Sequence, residues 1–348
     1  MTGQVKLASV LARFVGDTVA RRAKLSQLHG GKINKIYLVT AARGERFVLR
    51  EYRMHKTAAA ILYEHDLLKS LPARILTARL AAPIPADDGA TLTSVDNTYF
   101  ALFPFLDGKP SNCVGVKCRR DAGRLLAEYH NLVWTYRPRP LVRPGLGRLD
   151  DIDWIAVNSG SVVALGAQLV GDEPRIRKMY DLIESEIAKV SDVQRAVAEC
   201  PGLVAHYDLG PQNLLVRGHE IVGLLDFDLA TWELRAFDVA IAIMWFAAAH
   251  PRATTRFEGY EWRFRRSAAL DLLRGYASTT HYALSPAEYE MLPTLMRRFC
   301  VWLILWHLDR RSIGEDWFSD DIDGLVALLS DMSSSKRIGH YSLSASMP

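Results

Sequence analysis

From His206 the chain reads HYDLGPQN, and thirteen residues after Asn213 comes Asp226, the first acid of LLDFD. A carboxylate, an amide five positions on and a second carboxylate beyond a short apolar stretch suit phosphoryl transfer from a nucleotide. That reaction asks little covalent work of a protein. It needs a carboxylate to orient and deprotonate the attacking hydroxyl, and oxygen ligands for magnesium. Asp208 suits the first task. Asn213 and Asp226 suit the second, because Mg2+ takes one or two side-chain oxygens and keeps its other places for phosphates and water.

Around these residues, 202–205, 214–216 and 221–225 are apolar runs of β type, so the acids fall at loop ends on a rigid hairpin. Arg50 ends a strand-like run over 45–52. Glu64 lies on the helical stretch that follows, sharing a face with Ile61 and Leu68. A carboxylate on an apolar face needs a cation, and Arg50 is the natural partner. Gly30 and Gly31 separate two strand-like runs, where glycine frees backbone amides to approach phosphates but equally marks a plain turn.

The pattern H-x-D-x-x-x-x-N followed by h-h-D-F resembles the catalytic and metal-binding loops of the aminoglycoside phosphotransferase and choline kinase family, whose members share the protein-kinase fold. The likeness runs through 204–240, including Asp238 in AFDVAIA, and the flanking regions extend it to roughly 10–330. It implies an ATP- or GTP- and Mg2+-dependent kinase that phosphorylates a hydroxyl of a small molecule: an amino alcohol, sugar, nucleoside or aminoglycoside-type antibiotic. By the resemblance Asp208 is the catalytic base, Asn213 and Asp226 hold magnesium, His206 props the loop and Asp238 braces it. Arg50 stands where kinases carry the lysine that pairs the α- and β-phosphates, with Glu64 as its partner. Gly30 and Gly31 fall in the nucleotide-covering loop, and Phe103 and Phe105 lie where the nucleotide binds between the lobes. Two positions depart from the pattern: Tyr207 replaces a glycine or small residue, and Asp228 replaces the glycine of protein kinases. Asp228 reads either as a metal or substrate contact or as a structural cap.

FPFLDGK at 103–109, the stretch 275–293 and the DFD motif resemble the branch holding the second type of homoserine kinase. Asp150, Asp151, Asp153 and the acids of 315–323 are the carboxylates an aminoglycoside pocket would use. The rival from another class is a catalytically silent kinase-like scaffold that binds nucleotide; the intact Asp208, Asn213 and Asp226 speak against it. Protein kinase activity is disfavoured by the missing glycine after Phe227 and the lack of an activation segment.

The expected architecture is α+β, a protein-kinase-like two-lobed fold. Residues 1–105 form a nucleotide-binding lobe with an antiparallel sheet and one helix, 106–332 a largely helical lobe with the catalytic loop and substrate site, and 333–348 a disordered tail. A short helix near 6–14 precedes strands over 24–28, 33–40 and 45–52. A helix over 57–71 follows, with Thr57 as N-cap and Pro72 past its end, then strands 91–95 and 99–105 around an Asp96-Asn97 turn. Helices are expected over 114–134, 173–190, 237–249, 262–276, 286–308 and 321–332. Trp302 and Trp306, one turn apart, read as core packing, with a substrate wall as the alternative.

Composition narrows the class. Forty-three basic against 39 acidic residues give a net charge of +4, too small an excess for a nucleic-acid binder. The most apolar runs, 239–249 and 299–308, are about half the roughly 20 residues a membrane span needs, so they read as buried helices. The first fifteen residues, interrupted by Arg13, lack a leader's cleavage signal, and the four cysteines read as reduced thiols of a cytoplasmic protein. His29, His55, His65 and His130 have no metal-ligand spacing. Neither G-x-x-x-x-G-K-[ST] nor G-x-G-x-x-G after a strand is present, which excludes P-loop and dinucleotide folds.

Overall fold

The computed structural model describes residues 3–28, 34–53, 57–110, 113, 115–144, 174–189, 200–251, 260–312, 319–334, 341 and 343. In chain order the first elements are α1 (Gly3–Val15), α2 (Asp17–Arg22), β1 (Lys24–Leu28), β2 (Lys35–Thr40), β3 (Arg46–Glu51), α3 (Ala58–Ser70), β4 (Arg74–Ile75), β5 (Ala78–Arg79), β6 (Thr93–Val95), β7 (Thr98–Pro104) and β8 (Lys109–Pro110). Then come α4 (Val116–Val133), α5 (Pro174–Ala188), β9 (Gly202–Ala205), β10 (Leu214–Arg217), β11 (Glu220–Leu224), β12 (Thr231–Leu234) and α6 (Arg235–Ile243). The last are β13 (Ala249–Pro251), β14 (Tyr260–Trp262), α7 (Arg266–Ala277), α8 (Pro286–Ser312) and α9 (Ser319–Ser333).

The chain divides into two compact units. One comprises Met1–Lys109, Pro138–Gly145 and Leu214–Asp228. Its main sheet is antiparallel in the order β1-β2-β3-β7-β6. Alternation puts Val39, Leu49, Phe100 and Leu102 on one face, where they meet Val10, Leu11 and Phe14 of α1 in a buried cluster. Asp96 and Asn97 both take positive φ, 50° and 57°, the conformation that lets a two-residue turn follow the strand twist between β6 and β7. The Thr57 hydroxyl accepts from Ala60 N at 3.2 Å and caps α3, a bond that contributes about 1 kcal/mol. Ile61, Glu64 and Leu68 then fall together on the buried face of α3. The β10–β11 hairpin turns at Gly218, φ 61°, and stands in a second sheet in the order β4-β5-β11-β10-β8.

The other unit comprises Pro110–Arg137, Leu146–Asn213 and Leu229–Pro348. It is helical around a two-stranded β9–β12 ladder. Helices α4 and α7 meet backbone to backbone: a Cβ on Gly123 would lie 2.0 Å from Leu272 O, and one on Gly275 2.0 Å from Arg120 O. Only glycine permits that approach.

Several expectations are corrected. The run 237–249 is not one helix: α6 ends at Ile243, a π-turn occupies Met244–Ala248, and the chain then enters β13. Every residue from Arg235 to Ile243 is buried, so no change of period marks the switch. Trp262 sits in β14, paired with Ala249, and α7 starts only at Arg266. Cys113 and Cys118 are joined in a disulfide with Cα atoms 5.4 Å apart, whereas Cys200 and Cys300 are buried free thiols. Cys113 takes a positive φ of 47°. In the tail, Tyr341 and Leu343 are buried rather than disordered, the tyrosine ring packing 4.8 Å from that of Phe264. Among the described residues no helix is long and apolar enough to cross a membrane.

Candidate active site

In the helical unit the loop after β9 is fixed from beneath by one carboxylate. Asp238, in the first turn of α6 and fully buried, accepts the backbone N–H of His206 at 2.7 Å and of Tyr207 at 2.8 Å. It also lies 3.0 Å from His130 Nε2, while His130 Nδ1 lies 2.8 Å from the Tyr276 hydroxyl. Burial lowers the pKa of His130, so a neutral imidazole donates Nε2–H to Asp238 and accepts from Tyr276. Burial by itself raises the Asp238 carboxyl, but the bond from His130 and the amide of Tyr207 outweigh it and hold the group below the ordinary carboxylate range. His206 is buried edge-on to Tyr129, a ring in the loop's foundation as expected of a prop.

Tyr207 takes φ 69°. A left-handed bulky residue costs about 1–3 kcal/mol unless its surroundings enforce it. Here the ring is buried edge-on against Phe237 and Trp302, so its bulk packs into the core. Trp302 stacks on Phe299 and is buried, bearing out the core reading of that tryptophan.

Asp208 is oriented by two side-chain amides. Asn213 Nδ2 donates to Asp208 Oδ2 and to its backbone oxygen, both at 2.8 Å, and Gln212 Nε2 lies 3.4 Å from Oδ1. With its nitrogen so committed, Asn213 is held with Oδ1 as its remaining ligand atom. Gln212 escaped the reading of the sequence; its position four residues after Asp208, in the same loop, is the only signal that marks it.

The other unit brings Arg50, Glu64 and Phe103 together. Arg50 Nη1 lies 2.8 Å from Glu64 Oε1, and the guanidinium covers the ring of Phe103 at 4.9 Å. Burial works against its charge, but Glu64, with further pulls from Asp226 and Asp228, keeps it firmly cationic. Phe105 is not in this group: Arg46 covers its ring at 4.4 Å and pairs with Asp107. Gly30, Gly31, Asp150, Asp151, Asp153 and Glu315 lie outside the described residues. Asp321 is a buried cap that accepts from Tyr260 N at 2.7 Å, not a surface carboxylate.

Asp226 has φ 64° and a buried Oδ1 with no hydrogen-bond partner; Arg50 Nε and Glu64 Oε2 are likewise buried and unpartnered. Each such atom costs about 1–3 kcal/mol, and atoms of this kind persist where a ligand completes them. An unpartnered carboxylate oxygen is a hard donor that fits magnesium. Among the described residues no three His, Cys, Asp or Glu side chains gather as a closed metal cage.

His65, which had no ligand spacing, is a core histidine. Nε2 is 3.1 Å from the Tyr52 hydroxyl, Nδ1 is 2.9 Å from Thr91 Oγ1, and the ring stands edge-on to Phe103. Burial, aided by the charge of Arg50, pushes its pKa down to about 3.

Known proteins share both the sequence pattern and the fold. The sequence pattern of the Phosphotransferase enzyme family matches residues 24–276. A homoserine kinase of Rhizobium johnstonii is 31% identical over 271 residues, covering 77% of this chain and 74% of its own. A homoserine kinase of Gluconobacter oxydans is 25% identical over 325 residues, 91% of each chain. Among solved structures, a choline kinase from Cryptosporidium parvum aligns over 98% of both chains with a TM-score of 0.70 at 13% identity. A microcompartment-associated aminopropanol kinase aligns over 97% of this chain and 98% of its own, with a TM-score of 0.64 at 20% identity. These likenesses establish the kinase-like α+β fold.

Proposed function

The chain belongs to the Phosphotransferase enzyme family, and from that premise we propose that it transfers the γ-phosphate of ATP to the hydroxyl of a small amino-bearing alcohol of the homoserine type. The observation that carries the reading is Asp208, a carboxylate oriented by Asn213 and Gln212 on a loop pinned by Asp238. The acceptor class is supported by homoserine kinases that align with most of the chain.

In this reading Asp208 accepts a hydrogen bond from the acceptor hydroxyl and takes its proton as the new O–P bond forms and the bond to ADP breaks. Asn213 Oδ1 and Asp226 would hold magnesium, which when bound neutralises charge on the phosphates. The Arg50 guanidinium, kept charged by Glu64, would pair with the α- and β-phosphates. Phe103, near the end of β7, is assigned to the base, with Phe105 beyond the strand under Arg46 as its outer neighbour in the sequence, and Gly30 and Gly31 to the loop over the phosphates. A cytoplasmic location is part of this proposal. The Cys113–Cys118 bond is the feature to check against that assignment, because cytosolic thiols are mostly reduced.

The test is a panel of amino alcohols, sugars, nucleosides and aminoglycosides with Mg-ATP, read as mass gain of one phosphate. Homoserine and its nearest analogues should gain it. Asp208→Asn and Asp226→Asn should each lose at least about 100-fold in kcat. A wild type that binds Mg-ATP yet phosphorylates nothing in the panel would point to a silent scaffold instead.

A further inference from the structure

We infer that Asp228 is a positioning residue: with Asn34 and Arg143 it forms a buried clasp that fixes the backbone of Asp226. The inference rests on the phosphotransferase reading, with Asp226 as a magnesium ligand. Asp228 is 5% exposed. Its Oδ2 accepts from Asn34 Nδ2 at 3.0 Å, and its Oδ1 lies 3.4 Å from Arg143 Nη2. Both partners are themselves buried and held at their other ends. Asn34 Oδ1 accepts the backbone N–H of Arg53 at 3.3 Å, and Arg143 Nε donates to Ala60 O at 3.1 Å.

One carboxylate therefore joins the residue before β2, the chain just after β3, the first turn of α3 and the segment 138–145. That segment is docked a second time, by the Tyr63 hydroxyl on Leu141 O at 2.9 Å. A residue held at φ 64°, as Asp226 is, stays there only when its neighbours over-determine it. The neighbours here are Phe227, 2% exposed, and Asp228 with its two tethers. A metal on Asp228 would have to sit against the Arg143 guanidinium, whereas Asp226 Oδ1 is unpartnered.

The decisive experiment exchanges the pair. In Asn34→Asp two carboxylates face each other. In Asp228→Asn the Arg143 guanidinium loses its anionic partner. In the double exchange N34D/D228N each of these three bonds has a donor and an acceptor again. The amide introduced at position 228 gives its hydrogen to the carboxylate introduced at position 34 and its oxygen to Arg143, and that carboxylate still accepts from the Arg53 N–H. Binding of the non-hydrolysable analogue AMP-PNP to the full chain is measured by calorimetry across a Mg2+ titration, beside melting temperatures of the free proteins. Each single variant should weaken Mg2+-dependent binding by about 10- to 100-fold, and the double exchange should recover most of it at the wild-type Mg2+ requirement. Asp228→Asn and the double exchange both needing far more Mg2+, as Asp226→Asn should, would make Asp228 a ligand and overturn the clasp. If Asn34→Asp does not fold, the double exchange decides alone: folding and binding sustain the proposal, and failure of either refutes it. A wild type that binds no Mg-nucleotide sinks the underlying phosphotransferase reading. The clasp is then read from the melting temperatures, which only the double exchange should restore.

Discussion

Acidification should weaken this protein through His65 in a way that can be isolated. The ring is fully buried, both nitrogens face neutral hydroxyls, and its pKa is pushed down to about 3 from an ordinary 6.5. The folded chain therefore keeps His65 neutral, whereas the unfolded chain takes up a proton as pH falls below about 6.5. A depressed folded pKa means stability present above the unfolded value and lost toward the folded one, here over pH 6.5 to 3. Each unit of pH in that window costs about 1.4 kcal/mol, so moving from pH 7.5 to 5.0 removes about 2 kcal/mol through this residue. The control is His65→Asn, which retains a polar atom near the position facing Thr91 but has nothing to titrate. Urea unfolding of both proteins at a series of pH values gives the difference. The wild-type advantage at pH 7.5 should shrink by about 2 kcal/mol at pH 5.0. Parallel curves would show that the ring is charged when folded, and the account of its environment would be wrong.

Two further outcomes follow from the buried charges. Glu64→Gln leaves the Arg50 cation without its counter-charge, a change that costs about 3–5 kcal/mol in buried pairs. It should lower the melting temperature and raise KM for ATP, with Arg50→Lys milder than Arg50→Ala in kcat/KM. Asp238→Asn turns an amide N–H toward backbone donors, so kcat should fall about 100-fold with the Mg2+ requirement unchanged in a titration. Because the Asp238 carboxyl is held below its ordinary value of 3.8, its contribution to stability is complete above that pH and lost as pH falls below it. Acid unfolding of the Asn variant should lack this component.

Local signals carried the reading furthest. The Thr57 cap, the Asp96-Asn97 turn and the spacing of Ile61, Glu64 and Leu68 each depend on a few neighbouring residues, and each appears as expected. Asp208 and Asn213 also lie in one short loop, and their bond is local. What spacing could not reveal is contact across the chain. Asn34 meets Asp228 over 194 positions and Arg143 meets it over 85, so the choice between ligand and structural tie at Asp228 needed coordinates. The π-turn after Ile243 was hidden for a different reason: a stretch buried on all sides has no polar face whose period can break. Trp262 followed the same logic, an apolar residue near a helix start that instead pairs with Ala249. The Cys113–Cys118 disulfide was missed because a spacing of five residues matches no rule of composition.

The bonds of Asp238 also set an order of events. They reach back 32 residues to His206, 31 to Tyr207 and 108 to His130. Contacts of such separation form late, after the intervening chain has found its place. During synthesis the HYD segment thus leaves the ribosome before the residue that shapes it, and α4 must already stand ready to receive Asp238. A nascent or partly unfolded chain holds every atom of Asp208 without its geometry, and the loop takes its shape only when the helical unit is complete.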